Sequence, residues 1–161
     1  MEQITHYFSM VCYDSIDELD EEARRLILMA RMATSMAYVP YSSFRVGVAL
    51  LLGNGQILQG ANQENAAFPA GLCAERVALS AASSRYPDVA IKKMALSYRT
   101  VEGEDDHPIS PCGICRQTLV EYESRQQGPI GLLMAGGRGR IYGIASVAGL
   151  LPLTFSAKDM K

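Results

Sequence analysis

Arg45-Val-Gly-Val-Ala-Leu-Leu-Leu52-Gly-Asn-Gly55-Gln-Ile-Leu-Gln-Gly-Ala61 decides how this chain is built. On an extended backbone Val46, Val48 and Leu50 share one face, and Gly47, Ala49 and Leu51 share the other. Both faces are therefore suited to burial. Gly53-Asn54-Gly55 is a strong hairpin signal, because tight turns need residues that accept positive φ. Gln56 to Ala61 then returns as an antiparallel partner. A hairpin covered on both faces needs helices above and below it, and the flanking sequence supplies them.

Upstream, Ser15-Ile-Asp-Glu18 reads as a capping box. Leu19, Ala23, Leu26, Ala30, Ala33 and Ala37 follow at helical spacing, with the charges mostly off that stripe. This predicts an amphipathic helix that ends before Pro40. Its alanines permit close packing. Tyr41-Ser-Ser-Phe44 is a turn. Downstream, Asn62 to Leu72 is a loop that runs into a helix over Cys73 to Ser84. Ala90 to Arg99 is a strand, with Met94, Leu96 and Tyr98 alternating. Thr100 to Ser110 reads as an acidic, exposed loop, and a further helix covers Cys112 to Arg125. Ile130 to Ala135 is strand-like, and Gly136-Gly-Arg-Gly139 turns it back into Arg140 to Ile144. The stretch from Ser146 to Phe155 is a short helix or an ordered tail.

This order predicts one α/β domain over residues 1–161, with residues 1–14 as a loose arm. Its core is a single mixed sheet of about five strands with helices on both faces. The first two strands are antiparallel, and helical crossovers make later pairs parallel. The composition, 48% apolar and 20% charged, is that of a soluble globular protein. The net charge of −2 predicts no nucleic acid or other polyanion as partner. No stretch is apolar and long enough to meet a membrane as a spanning helix, and Met1 to Met10 lacks the features of a leader. The expected location is cytoplasmic.

Four cysteines are present: Cys12, Cys73, Cys112 and Cys115. In a reducing compartment the close Cys112–Cys115 pair favours metal binding over a disulfide. Cys12 reads as a plain thiol. Cys112 and Cys115 share one helix face. Pro111 suits a helical first turn. Backbone N–H groups at a helix start stabilise thiolates, and Cys73 opens its own helix in the same way. Three thiolates can hold one Zn²⁺ per chain and leave a fourth tetrahedral position for water. Glu75 is too close to Cys73 in sequence to be a second ligand, and it suits proton transfer beside the site. Three thiolates on Zn²⁺ leave an excess negative charge. Arg76 is the candidate to offset it by a hydrogen bond to a ligand sulfur, and Gln117 is a second donor. A closed four-ligand site would need Cys12, His6 or His107.

Pro40-Tyr-Ser-Ser-Phe44-Arg-Val-Gly47, Asn62-Gln-Glu64-Asn65-Ala66, Cys73-Ala-Glu75-Arg76, Pro111-Cys-Gly-Ile-Cys115-Arg-Gln117 and Leu150-Leu-Pro152-Leu-Thr-Phe155 occur together and in this order. The chain thereby resembles the small, homotetrameric-type cytidine deaminases, from about Ala37 to Phe155. The resemblance implies that Cys73, Cys112 and Cys115 hold zinc and that Glu75 donates and accepts protons. It implies that Asn62 and Glu64 grip the ribose hydroxyls and that Phe44 faces the pyrimidine. Ala66, Phe68 and Ala74 would line the nucleoside site, and Phe155 would reach a neighbouring subunit's site. Phe68 stands where the family often has tyrosine. The implied activity is hydrolysis of cytidine and 2′-deoxycytidine to the uridines with release of ammonia, in pyrimidine salvage, by a homotetramer with shared sites.

Three rival readings keep the same metal core. One is deamination of another small cytosine compound, such as an aminoacyl-nucleoside antibiotic. The second is a polynucleotide editor, disfavoured by the mild acidity and the absence of Trp. The third is a zinc-stapled assembly domain without catalysis.

Overall fold

The computed structural model describes residues 1–100, 103 and 105–160. The strands are β1 (Val11–Tyr13), β2 (Arg45–Leu52), β3 (Ile57–Ala61), β4 (Ile91–Arg99), β5 (Gly131–Ala135) and β6 (Ile141–Ile144). The helices are α1 (Glu21–Ala33), α2 (Ala74–Arg85) and α3 (Gly113–Gln126). The six strands form one mixed sheet in the order β1-β6-β5-β4-β2-β3.

The β2–β3 hairpin forms as its sequence predicts. Leu50 lies opposite Leu58, and Gly55 supplies the turn's positive φ of 81°. The second edge of β2 is filled by β4, which runs antiparallel with Val48 opposite Leu96. A strand with both faces buried must satisfy its outward N–H and C=O groups on both edges. The helical crossover from β3 therefore lands beyond β2, and only β4 and β5 form a parallel pair. The expectation of several parallel pairs is corrected to this one. β5 and β6 close as an antiparallel hairpin.

The sixth strand comes from the segment expected to be a loose arm. Val11, Cys12 and Tyr13 pair with Gly143, Tyr142 and Ile141. Three residues are too few to show a period, so only the partner edge of β6 defines this strand. Residues 1–10 have no regular structure and are exposed. A second correction concerns the start of α1. Ser15 caps only a short 3₁₀ turn over Ile16–Glu18, and the Glu18 carboxylate accepts from the Asp14 N–H at 3.1 Å. The helix begins after Asp20, whose Oδ1 accepts from the Ala23 N–H at 2.7 Å. The carboxylate satisfies an orphan donor of the first turn, as a cap does. Of the loop expected at 100–110, residues 101, 102 and 104 lie outside the described residues.

The sheet is covered on both faces. Leu26, Ile27 and Ala30 of α1 pack with Ala49, Leu51, Ala95 and Leu133. On the other face Ala74, Ala78 and Leu79 of α2 and Leu119 of α3 pack with Val48, Leu50, Met94, Leu96 and Leu132. Two glycines allow helices to sit directly on the backbone. A Cβ on Gly47 would fall 2.2 Å from the Ala30 carbonyl oxygen, and one on Gly60 would fall 2.8 Å from that of Ala74. Gly60 thus sets the depth at which α2 meets the sheet.

Gly60→Val is expected to lower the urea unfolding free energy by about 1–3 kcal/mol, the usual cost of overpacking. Gly128→Ala, where an added Cβ meets nothing closer than 3.9 Å, serves as the control and is expected to change it little.

Candidate active site

β3 and β4 flank β2 and are both antiparallel to it, so they run in the same direction. Each is followed by a loop and a helix, so α2 and α3 both begin at one end of the sheet. The start of β2, at Phe44 and Arg45, lies at that end too. Side chains distant in sequence meet there. This is the usual place for a site in an α/β sheet, beyond the carboxyl ends of its strands.

Cys73 and Cys112 are the N-cap residues of α2 and α3, and Cys115 lies one turn into α3. Pro111 therefore sits just outside the helix, and its carbonyl accepts from Arg116 Nε at 2.9 Å. Cys112 Sγ is 3.8 Å from Cys73 Sγ and 3.5 Å from Cys115 Sγ. All three sulfurs lie within 4.8 Å of one another. Thiolates about 2.3 Å from a tetrahedral ion lie about 3.8 Å apart, so the cluster has the size of a zinc site. Neither helix start has a side-chain cap hydrogen bond, and the free N–H groups favour negative charge on the sulfurs. A hydrogen bond from Cys115 pulls the Cys73 thiol down to about 6, helped by Cys112 and the Arg76 charge. Cys115 itself is pushed up by that same bond and by burial. Three sulfurs so close together can share one divalent metal in place of their protons.

Glu75 is the one buried charged side chain among the described residues, only 4% exposed. Burial pushes its carboxyl pKa up, opposed by hydrogen bonds from its own backbone N–H and from Cys115. The carboxyl therefore lies against the sulfur cluster. A carboxyl with a raised pKa is a stronger proton acceptor than an exposed one, which suits it to carry a proton.

Arg76 and Gln117 depart from the sulfur-donor roles expected of them. Arg76 donates from Nη2 to the Gly71 carbonyl at 3.0 Å, and it acts on Cys73 through its charge. Its Nε is buried without a hydrogen-bond partner, an orphan donor beside an anionic site. Gln117 donates from Nε2 to the Phe155 carbonyl at 2.9 Å, so it holds the tail rather than a ligand.

An open cleft of 490 Å³ adjoins the cluster, lined by Asn62, Glu64, Phe68, Leu72 and Cys73 among others. Asn62 clasps β2: its Oδ1 accepts from the Val46 N–H at 2.8 Å and its Nδ2 donates to the Phe44 carbonyl at 2.9 Å. Glu64 Oε2 accepts from the Tyr41 and Ser42 N–H groups, and Oε1 accepts from the Ser42 hydroxyl. The Ser42 bond, with these N–H groups, lowers the Glu64 pKa, so the carboxylate stays charged. Both residues keep capacity for a ligand, since an amide has a second N–H and a carboxylate about four acceptor sites. Phe44 is half-buried, Ala66 is exposed in the loop, and Ala74 is buried under β3. Phe68 and Phe155 are 75% and 62% exposed. Phe68 meets Tyr41 edge-on at 5.8 Å. Ser42 is a site residue that sequence reasoning passed over, and a serine inside a turn carries no distinctive signal.

Residues 20–127 match the family model described as "Cytidine and deoxycytidylate deaminase zinc-binding region". The chain is 38% identical over 139 residues to a cytidine deaminase of Sporosarcina psychrophila, covering 86% of this chain and 95% of that protein. It is 40% identical over 141 residues to a cytidine deaminase of Halalkalibacterium halodurans, covering 86% and 98%. Its fold superposes on the crystal structure of cytidine deaminase from Burkholderia pseudomallei with a TM-score of 0.68 at 32% identity, covering 85% of this chain and 100% of that one. The Mycobacterium tuberculosis cytidine deaminase structure gives a TM-score of 0.64 at 31% identity, covering 85% and 99%. Sequence, fold and the clustered cysteines agree: the chain belongs to the cytidine and deoxycytidylate deaminase family, hydrolases that act on carbon–nitrogen bonds.

Proposed function

We propose that this protein is a zinc-dependent deaminase of cytidine and 2′-deoxycytidine that yields the uridines and ammonia in pyrimidine salvage. The observation that carries the reading is the buried Glu75 carboxyl against three clustered sulfurs at two helix starts. Cys73, Cys112 and Cys115 would hold one zinc ion per chain. When bound, the ion supplies Lewis-acid activation of water at an open fourth position.

Glu75 accepts a proton from the attacking water and passes it to N3 of the pyrimidine. The water oxygen bonds to C4, and the C4–N bond breaks once Glu75 has delivered the second proton to the leaving amino group. Cytidine and water are consumed, and uridine and ammonia are formed. Arg76 offsets the charge of the cysteine cluster. Asn62, through its second amide N–H, and Glu64, through the remaining acceptor site on Oε1, grip the ribose hydroxyls. Phe44 faces the base, and Ala66, Phe68 and Ala74 complete the nucleoside site. The whole of residues 1–161 acts as one domain.

Phe68 at the cleft and Leu153 and Phe155 in the tail are exposed, and such uncovered apolar side chains support a homotetramer whose subunits share sites. No described helix is long and apolar enough to cross a membrane, which accords with a cytoplasmic enzyme. The plain-ribose substrate is favoured over the antibiotic and polynucleotide readings by the Asn62–Glu64 pair at the cleft.

The direct test follows the ultraviolet absorbance of cytidine with purified protein, together with zinc analysis. Uridine and ammonia in equal amounts with about one zinc per chain are expected; zinc without turnover contradicts the reading. Glu75→Gln is expected to retain zinc and lose turnover by about a hundredfold or more. Cys112→Ala is expected to lose both zinc and turnover. Asn62→Ala, which frees Phe44 and removes a sugar contact, is expected to raise KM for cytidine.

A further inference from the structure

The acidic segment before Pro111 matches nothing in the family resemblance, yet it is built into the site. Tyr98 is buried near the end of β4, opposite Val46. Its ring stacks on Phe44, with centroids 5.2 Å apart and planes 23° from parallel. Its hydroxyl lies 3.2 Å from His107 Nδ1, and the His107 ring meets Tyr98 edge-on at 5.6 Å. His107 Nδ1 is in turn 3.4 Å from Asp106 Oδ1.

The His107 side chain is exposed, but its backbone is anchored. Asp105 accepts through its carbonyl from the Arg138 N–H at 3.3 Å. A Cβ on Gly136 would fall 2.1 Å from the Asp105 carbonyl oxygen and 3.0 Å from that of His107. The glycine-rich turn between β5 and β6 is thus a seat for residues 105–107. Five residues further on the same segment delivers Cys112.

We propose that Tyr98 and His107 are positioning residues that hold the Phe44 ring against the nucleobase. This rests on the reading of Phe44 as the residue facing the pyrimidine. The backbone of Phe44 is fixed separately, by Asn62 at its carbonyl and by Ser42 Oγ, which accepts from its N–H at 3.0 Å. The ring, however, turns about χ1 and χ2, and Tyr98 is the aromatic ring that stacks on it. Offset stacking defines the plane of an aromatic pair, and a buried tyrosine hydroxyl needs a partner to stay in place. His107 offers the hydroxyl one such partner. The stack therefore links Phe44, read here as facing the base, to the segment that carries a cysteine of the cluster.

Ground-state positioning acts on binding. Loss of such an interaction raises KM and leaves kcat unchanged. His107→Ala, at an exposed side chain, and Tyr98→Phe, which keeps the ring and loses the hydroxyl, are assayed with cytidine beside the wild type. Thermal unfolding, zinc content and the affinity for uridine are measured in parallel. Both variants are expected to raise KM about three- to tenfold and to weaken uridine by a similar factor, with kcat within about twofold. His107→Asn, whose amide can stand near the Nδ1 position, is expected to recover most of the affinity. Wild-type turnover with KM within about twofold of wild type in both variants, or a loss confined to kcat, overturns the proposal alone. A wild-type protein that leaves cytidine unchanged overturns the reading of the site and this inference with it.

Discussion

Two helices must begin at the same end of one sheet, and the rest of the site depends on that. β3 and β4 run in the same direction because each pairs antiparallel with β2 between them. The helices that follow them bring Cys73 and Cys112 together as N-cap residues, with sulfurs 3.8 Å apart. The partial positive charge at each helix start favours thiolates where three sulfurs would otherwise repel one another. Gly60 fixes how deeply α2 sits, so a backbone contact on the buried face governs the position of Cys73 and Glu75.

The polar groups of the cleft are bound twice over. Asn62 and Glu64 hold the turn at 41–46 through five hydrogen bonds, and both line the cleft with hydrogen-bonding capacity to spare. Such prior engagement fixes their rotamers before a ligand arrives, which lowers the entropy cost of recognition. Phe44 is held at its backbone by the same network and at its ring by Tyr98. Glu75 differs in being buried, and burial is what moves its proton affinity towards neutral pH.

Much of this was legible in the residues. The Gly53-Asn54-Gly55 turn, the helical alanine stripe and the Cys-x-x-Cys pair each carry a local physical signal, and each is found where its sequence placed it. Features set by distant partners were not legible. β1 exists because β6 has a free edge, and α1 begins at Asp20 because the Ser15 box closes on a single turn. Gln117 has the chemistry of a sulfur donor, yet the tail brings the Phe155 carbonyl to it first. The stack on Phe44 needed strand register: Tyr98 lies opposite Val46, a pairing that no local pattern encodes. His107 looked like a residue of a loose loop because the glycines that seat it are about thirty positions away.

The central claim is that three sulfurs from two helix starts bind one ion and leave one position open. Zinc K-edge X-ray absorption on the purified protein tests it most directly. The account predicts three sulfur scatterers at about 2.3 Å and a single oxygen or nitrogen scatterer. A shell of four sulfurs, or the multiple-scattering signature of a bound imidazole, would mean a closed structural site and would contradict it.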